Sequence, residues 1–455
     1  MTTFPYPIEH GNCGDGAPLT LGDKGVLADL FIGYLATPFV FDWDGDSRNE
    51  LVASRGGVLT FHLEGTLPDR TPIVDRGLRW GQIPRAPHRS DQSDTGLCGT
   101  IRTVGDFDGD GNEEVILGPR IYSNEPAVVL TCKDGIPADR SKGLPFKLVD
   151  PNPARGNSAE ARWGSAEMTA YDWNADGKLD LILATQNTEG YEPVDPGTDR
   201  APEDQRDRYT RDGRWKGKPS EWSLHLFQNT STDGAFTFSY AGAIPLPTAP
   251  PGGPLSAVNP ADPHAGLLLL DYYGALWHLP LIEAGDKPRW GPLEELLSLH
   301  GEPFTRTANM TFLTVGDLHG EGRLDLVASD YSSNVYWSRY YGKDDSGRPV
   351  YGAPRKVKQR DPHINGGQFS VPTVGDWRGT GMADLVIGSV EGYIFWYKTL
   401  STNPLRFAAP ERVRCGDEEI RRVAKPHPAG GYHWGSSQGP LDGFNGGYSN
   451  PVLTD

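Results

Sequence analysis

FDWDGDSRNELVAS (41–54) decides the fold of this chain because it recurs. GDFDGDGNEEVILG (105–118) and YDWNADGKLDLILA (171–184) repeat it closely, and GDLHGEGRLDLVAS (316–329) and GDWRGTGMADLVIG (375–388) repeat it in worn form. Each copy reads as the end of a strand, a loop with acidic groups at alternate positions, then a hydrophobic strand. A unit this short cannot bury its own apolar face, so neighbouring units must bury each other's. Two fainter copies complete the set. LLLLDYYGALWHLPL (267–281) keeps flanking strands and Asp271 but not the loop. In NPVLTD (450–455), Pro451 precedes Asp455 by the same four residues that separate Pro38 from Asp42 and Pro372 from Asp376. The anchors are Asp42, Asp106, Asp172, Asp271, Asp317, Asp376 and Asp455, and seven anchors suit a closed ring of sheets.

The sixth copy gives the anatomy of one unit. QFSVPTVGD (368–376) is an inner strand, DLVIGSV a second, GYIFWYKTL (392–400) a third with aromatics on a period of two, and RFAAPERVR (406–414) a fourth. A four-stranded unit repeated around a ring is a β-propeller blade, and closure removes exposed strand edges. The expectation is an all-β chain, one domain over 1–455, a seven-bladed β-propeller whose last blade is incomplete. Either residues 1–30 complete that blade or the sequence is a piece of a longer protein, which the stop in mid-motif favours. A β-sandwich or β-helix is the competing architecture.

Composition agrees. The chain has 455 residues with 57 Gly, 39 Pro and 10% aromatics, which suits short strands and turns rather than helices. Cys13, Cys98, Cys132 and Cys415 follow no metal spacing and are too few for a disulfide scaffold. A net charge of −17 argues against nucleic acid as a partner, since a phosphate backbone needs a basic face. No run is long and apolar enough for a membrane span. MTTFPYPIEHGN lacks the basic start and apolar stretch of a signal peptide, so the chain is cytoplasmic or has lost a leader.

The acidic loops carry the first chemistry. D-x-D-x-D-G-x-x-D puts oxygens at offsets 0, 2, 4 and 8, and a tight turn folds them around one centre. Clustered carboxylates repel unless a cation sits among them, and a hard cation with six to eight oxygen ligands is Ca²⁺. The candidate ligands are Asp42, Asp44, Asp46 and Glu50; Asp106, Asp108, Asp110 and Glu114; and Asp172, Asn174, Asp176 and Asp180. In the worn loops His319 and Glu321, or Arg378 and Thr380, replace the middle ligands, and these loops are expected to hold no metal. Arg378 is placed to pair with Asp376 and Asp384 as an internal cation, or is simply a surface arginine.

These motifs resemble the FG-GAP (VCBS) repeats of integrin α-subunit heads and of many bacterial extracellular proteins. The resemblance implies calcium loops that stiffen the blades without catalysis, and a secreted or cell-surface setting. Function would then lie on the opposite face. The crossovers there supply His88, Arg162, Trp163, His264, Arg306, His363 and Trp434, and the long insert 186–221 supplies Tyr209, Arg214 and Trp215. Two readings follow. One is a propeller that binds carbohydrate or a protein partner, such as a polysaccharide or glycoprotein ligand, through its central funnel face. The other is a polysaccharide lyase, since several lyase families that this chain is similar to in architecture are propellers. In that reading Tyr209, His264 and His363 supply acid and base, and Arg214 and Arg306 neutralise a uronate. Trp163, Trp215, Trp434, His88 and Arg162 would hold the sugar. The paired histidines and Tyr–Arg motif of those lyases find no match by spacing.

Overall fold

The computed structural model describes residues 20–22, 25–32, 36–54, 58–80, 101–118, 127–132, 142–151, 167–187, 221–232, 234–246, 255–258, 266–270, 275–301, 304, 312–330, 334–362, 364, 371–388, 392–403 and 405–420. Among these the fold is all-β and propeller-like, with no α-helix, and no helix long and apolar enough to cross a membrane.

Six repeats each give four antiparallel strands in the order first, second, third, fourth. The fourth strands of the second and third repeats also pair in parallel, Phe146 to Val149 against Phe236 to Ser239, joining those two into one eight-stranded sheet. The first blade pairs Thr37–Phe41, Glu50–Ser54, Val58–Phe61 and Leu78–Trp80. The second is Ile101–Gly105, Glu114–Leu117, Val128–Thr131 and Leu144–Val149. The third is Glu167–Tyr171, Asp180–Asn187, Glu221–Asn229 and Phe236–Leu246. The fourth, fifth and sixth start at Leu255–Val258, Phe312–Gly316 and Val371–Gly375. Second strands such as ELVAS and DLVIG are buried at every position. They are covered on both faces, so they read as continuous apolar runs rather than alternating ones.

One register recurs and positions the site. The residue before each anchor pairs with the acid at offset 8: Phe41 with Glu50, Gly105 with Glu114, Tyr171 with Asp180, Gly316 with Asp325, and Gly375 with Asp384. That acid is therefore the first residue of the buried second strand. Trp43, Phe107 and Trp173, next to the anchors, are buried as well, while the middle of each acidic loop stays at the surface. In the fourth blade Val258 pairs with Leu267 in the same way. LLLL is thus a second strand, and Asn259, not Asp271, stands at the anchor position. His264 and Asp271 lie outside the described residues.

The blades pack in sequence, and the fifth returns onto the first. Apolar clusters join blade one to two, two to three, three to four, four to five, and five to one. Gly316, ending the fifth inner strand, lies so close to Val40 of the first that a Cβ would collide with it. Gly105 has the same role beside Leu179, where a Cβ would come within 2.6 Å. Asn49 donates to the Asp317 carbonyl at 3.0 Å, and Ser329 to that of Ala36 at 2.8 Å. A strand pairing seals the seam: Lys358–Arg360 runs parallel to Pro72–Val74 and antiparallel to Leu27–Asp29. Among the described residues five sheets thus pack in sequence into a closed ring. The sixth sheet lies outside it, with its own cluster around Leu21, Leu385, Ile387 and Phe407. Its inner strand exposes Val371 and Val374, unlike the largely buried inner strands of the first, second and fifth blades. Residues Thr20–Leu21 tether it by pairing with Arg406–Phe407. Asp455 lies outside the described residues.

The long third and fourth strands expected from the sequence are also broken. The third strands of blades one, four, five and six break at His62, Pro280, Arg339 and Lys398. Blades four and five continue as a separate short hairpin, whereas the hairpin of blade one joins Lys358–Arg360 and that of blade six joins Thr20–Leu21.

Candidate metal centres

Backbone N–H groups fold each acidic loop. In the first, Asp42 accepts from the amides of Gly45 (2.8 Å), Asp46 (3.1 Å) and Ser47 (2.8 Å). In the second, Asp106 accepts from Gly109 (2.7 Å) and Gly111 (3.0 Å). In the third, Asp172 accepts from Asp176 (3.1 Å) and Gly177 (3.0 Å). The offset-0 carboxylate is therefore the hub of the turn. Gly109 and Gly111 hold φ of 77° and 87°, the left-handed region that an L side chain adopts only under strain. Asp42, Asp44 and Asp46 converge, as do Asp106, Asp108 and Glu114, each trio with one oxygen per residue within 4.8 Å of the others.

The offset-8 acid tests whether these loops suit a cation. Glu50, Glu114 and Asp180 are all buried. Glu114 accepts one bond, from the Phe107 amide at 2.9 Å, and its other oxygen has no hydrogen-bond partner. Asp180 accepts from the Asn229 amide at 2.7 Å, and its second oxygen is likewise orphaned. Burial pushes Glu114 from 4.5 up to about 7, and the carboxylates of Asp108, Asp106 and Asp110 push the same way against the Phe107 amide. Burial, then Asp176 and Asp172, raise Asp180 from 3.8 to about 7. Glu50 rises to about 7 chiefly by burial, with Asp44 and Asp42 adding to it. Buried carboxylates with a free lone pair, each under a ring of further carboxylates, fit a hard divalent cation.

The worn loops carry their own cations. Arg378 grips Asp384 with Nε at 2.9 Å and Nη2 at 2.8 Å, and also donates to the Thr399 carbonyl at 2.9 Å. Trp396 Nε1 and the Thr399 amide satisfy the rest of that carboxylate. The guanidinium does bond Asp384, whereas Asp376 is held by the amides of Thr380 and Gly381. In the fifth loop Arg323 meets Asp325 at 3.0 Å and Glu321 at 2.9 Å. His319 lies 3.4 Å from Asp325, and its other nitrogen is 3.2 Å from the Arg70 carbonyl. Arg70 pairs with Glu321. The fifth loop thus pairs its own acids and contacts the first blade across the seam.

The sequence reading missed several partners. Asn229 ties the second and third loops by donating to the Phe107 and Leu179 carbonyls at 2.8 and 2.9 Å. His62 and Asp75 approach the first loop from the third strand and the hairpin beyond it. Only pairing of third strands to second strands, not loop spacing, brings them there. The opposite-face candidates Tyr209, Arg214, Trp215, His264, Arg306, His363, His88, Arg162, Trp163 and Trp434 all lie outside the described residues.

No protein-family model matches this chain, and no curated protein matches it. Three solved structures are similar in part. An arginine-to-alanine triple mutant of AofleA from Arthrobotrys oligospora superposes at TM-score 0.30 and 9% identity, over 78% of this chain and 98% of that one. The periplasmic gluconolactonase PpgL of Pseudomonas aeruginosa gives 0.28 and 12%, over 87% and 99%. The Bacillus licheniformis rhamnogalacturonan lyase PL11 gives 0.23 and 11%, over 96% and 90%. At these TM-scores none of the three carries an argument about fold or chemistry.

Proposed function

We propose that this chain is a calcium-stabilised β-propeller that binds a polysaccharide or glycoprotein through the face opposite its metal loops. The observation that carries the metal half is the pair of orphaned, buried carboxylate oxygens on Glu114 and Asp180 beneath acidic loops. Calcium would be held by Asp42, Asp44, Asp46 and Glu50, by Asp106, Asp108, Asp110 and Glu114, and by Asp172, Asn174, Asp176 and Asp180. It would neutralise charge that otherwise repels across the turn, so its role is to stiffen the blade.

The binding half rests on sequence: aromatic and basic residues gather in the crossovers and in the insert 186–221. The lyase reading uses Tyr209, His264, His363, Arg214 and Arg306. The test is a binding screen of calcium-loaded protein against immobilised acidic and neutral glycans. In parallel, ulvan, gum arabic and pectin are followed for the absorbance of an unsaturated uronate. Binding without elimination supports the proposal, elimination replaces it with the lyase reading, and neither response on any glycan refutes both.

A further inference from the structure

We propose that the first loop, unlike the second and third, is a site for a first-row transition-metal dication held by His62 together with Asp44 and Glu50. This rests on reading the first loop as a metal loop and changes the class of metal it takes. One atom each of Asp44, Glu50 and His62 lies within 4.8 Å of the other two. His62 Nε2 is 3.4 Å from Asp44 Oδ2. Two ligands about 2.0–2.1 Å from a metal, at a near-tetrahedral angle, are separated by roughly that span.

The imidazole is held for this task. Its Nδ1 lies 3.0 Å from Asp75 Oδ2. Asp75 is fixed in turn by the amides of His62 (3.1 Å) and Gly77 (2.9 Å) on its other oxygen. A carboxylate on Nδ1 directs the Nε2 lone pair outward, the arrangement that orients and strengthens a metal-ligating histidine. Its outward side is the acidic loop.

Position and charge set this loop apart. His62 follows Phe61, which pairs with Leu51, so it stands opposite Glu50. The same step in the third, fifth and sixth blades places Gln228, Arg339 and Lys398 opposite the offset-8 acid. Only the first blade puts an imidazole there. Arg48 also grips Asp46 Oδ2 through Nε at 3.1 Å and Nη2 at 2.7 Å, so one carboxylate of this loop is already charge-paired. The first loop thereby has one carboxylate paired with a guanidinium and one nitrogen donor beside its oxygens. Calcium takes oxygen ligands, whereas imidazole with carboxylates suits zinc and its neighbours.

The experiment titrates Co²⁺ and Zn²⁺ into the metal-stripped full chain in excess calcium, following the visible Co²⁺ band and dialysis stoichiometry. The expected result is one ion per chain taken in the presence of calcium. His62→Gln should abolish that uptake, and Asp75→Asn should weaken it about 10–100-fold, while calcium content at the other loops is unchanged. Near-ultraviolet circular dichroism checks that both variants keep the native fold. No transition-metal uptake by the unmodified chain, or uptake unaffected by His62→Gln, overturns the proposal. In that case His62 serves as an internal cation between Asp44 and Asp75. Co²⁺ uptake through His62 with no calcium bound anywhere would retain this inference and refute the calcium reading alone.

Discussion

Glu114→Gln should change sign with calcium. In the metal-free protein Glu114 is buried with one oxygen unpartnered, and its pKa stands at about 7 instead of 4.5. A raised carboxylate holds its proton more tightly in the folded state than in the unfolded one. Its contribution is therefore most favourable below 4.5, declines as pH rises to about 7, and stays low above that. At 1.36 kcal/mol per pKa unit, the difference amounts to about 3 kcal/mol. Glutamine keeps an acceptor for the Phe107 amide and cannot ionise. In chelator at pH 8 the variant should be more stable than the parent by up to about 3 kcal/mol, and at pH 4.5 nearly equal. In calcium at 100 times Kd a ligand that binds only the native state adds about 2.7 kcal/mol, and the variant forfeits this at the second loop. Urea unfolding with and without chelator at both pH values measures all four states. A variant that is less stable in chelator and in calcium alike would mean that Glu114 acts only through native packing. One equally more stable in both would mean that no cation binds there. Either result refutes the reasoning.

Four further outcomes follow. Asp180→Asn should reproduce this crossover at the third loop, and the parent's metal-free stability should fall as pH rises from 3.8 towards 7, because Asp180 is raised over that range; a flat profile in chelator counts against it. Arg378→Gln should lower the melting temperature equally with and without calcium, since it strips the fork from buried Asp384. Arg378→Asp with Thr380→Asp turns DWRGTGMAD into DWDGDGMAD, and it should make the sixth sheet's stability depend on calcium; calcium-independent melting sinks the internal-cation account. Deleting residues 1–30 removes the strand Leu27–Asp29 from the seam and should lower the melting temperature, so a chain starting at residue 31 with unchanged melting contradicts that closure.

Much of the blade was legible from spacing. The anchor and its offset-8 partner sit where D-x-D-x-D-G-x-x-D puts them, because a two-stranded turn of fixed length fixes the register. The fourth repeat failed because its loop lost the acids, leaving LLLL without a marker of which strand it is. Leu267 stands where other repeats place an acid, and only its pairing with Val258 reveals the frame. Blade number was not legible, since seven anchors say nothing of which inner strands abut. Gly316 against Val40 decides that, and it is a contact across most of the chain. His62 escaped notice for the same reason: it reaches the first loop through strand pairing.

Calcium counting on three proteins tests the central claim most directly. The full chain, Asp106→Asn and Asp172→Asn are dialysed against calcium and then into metal-free buffer, and bound calcium is measured per chain. The hub carboxylate of each turn is removed in these variants. The account predicts that each variant binds one calcium ion fewer than the full chain. Equal calcium in all three, or none in any, would contradict it.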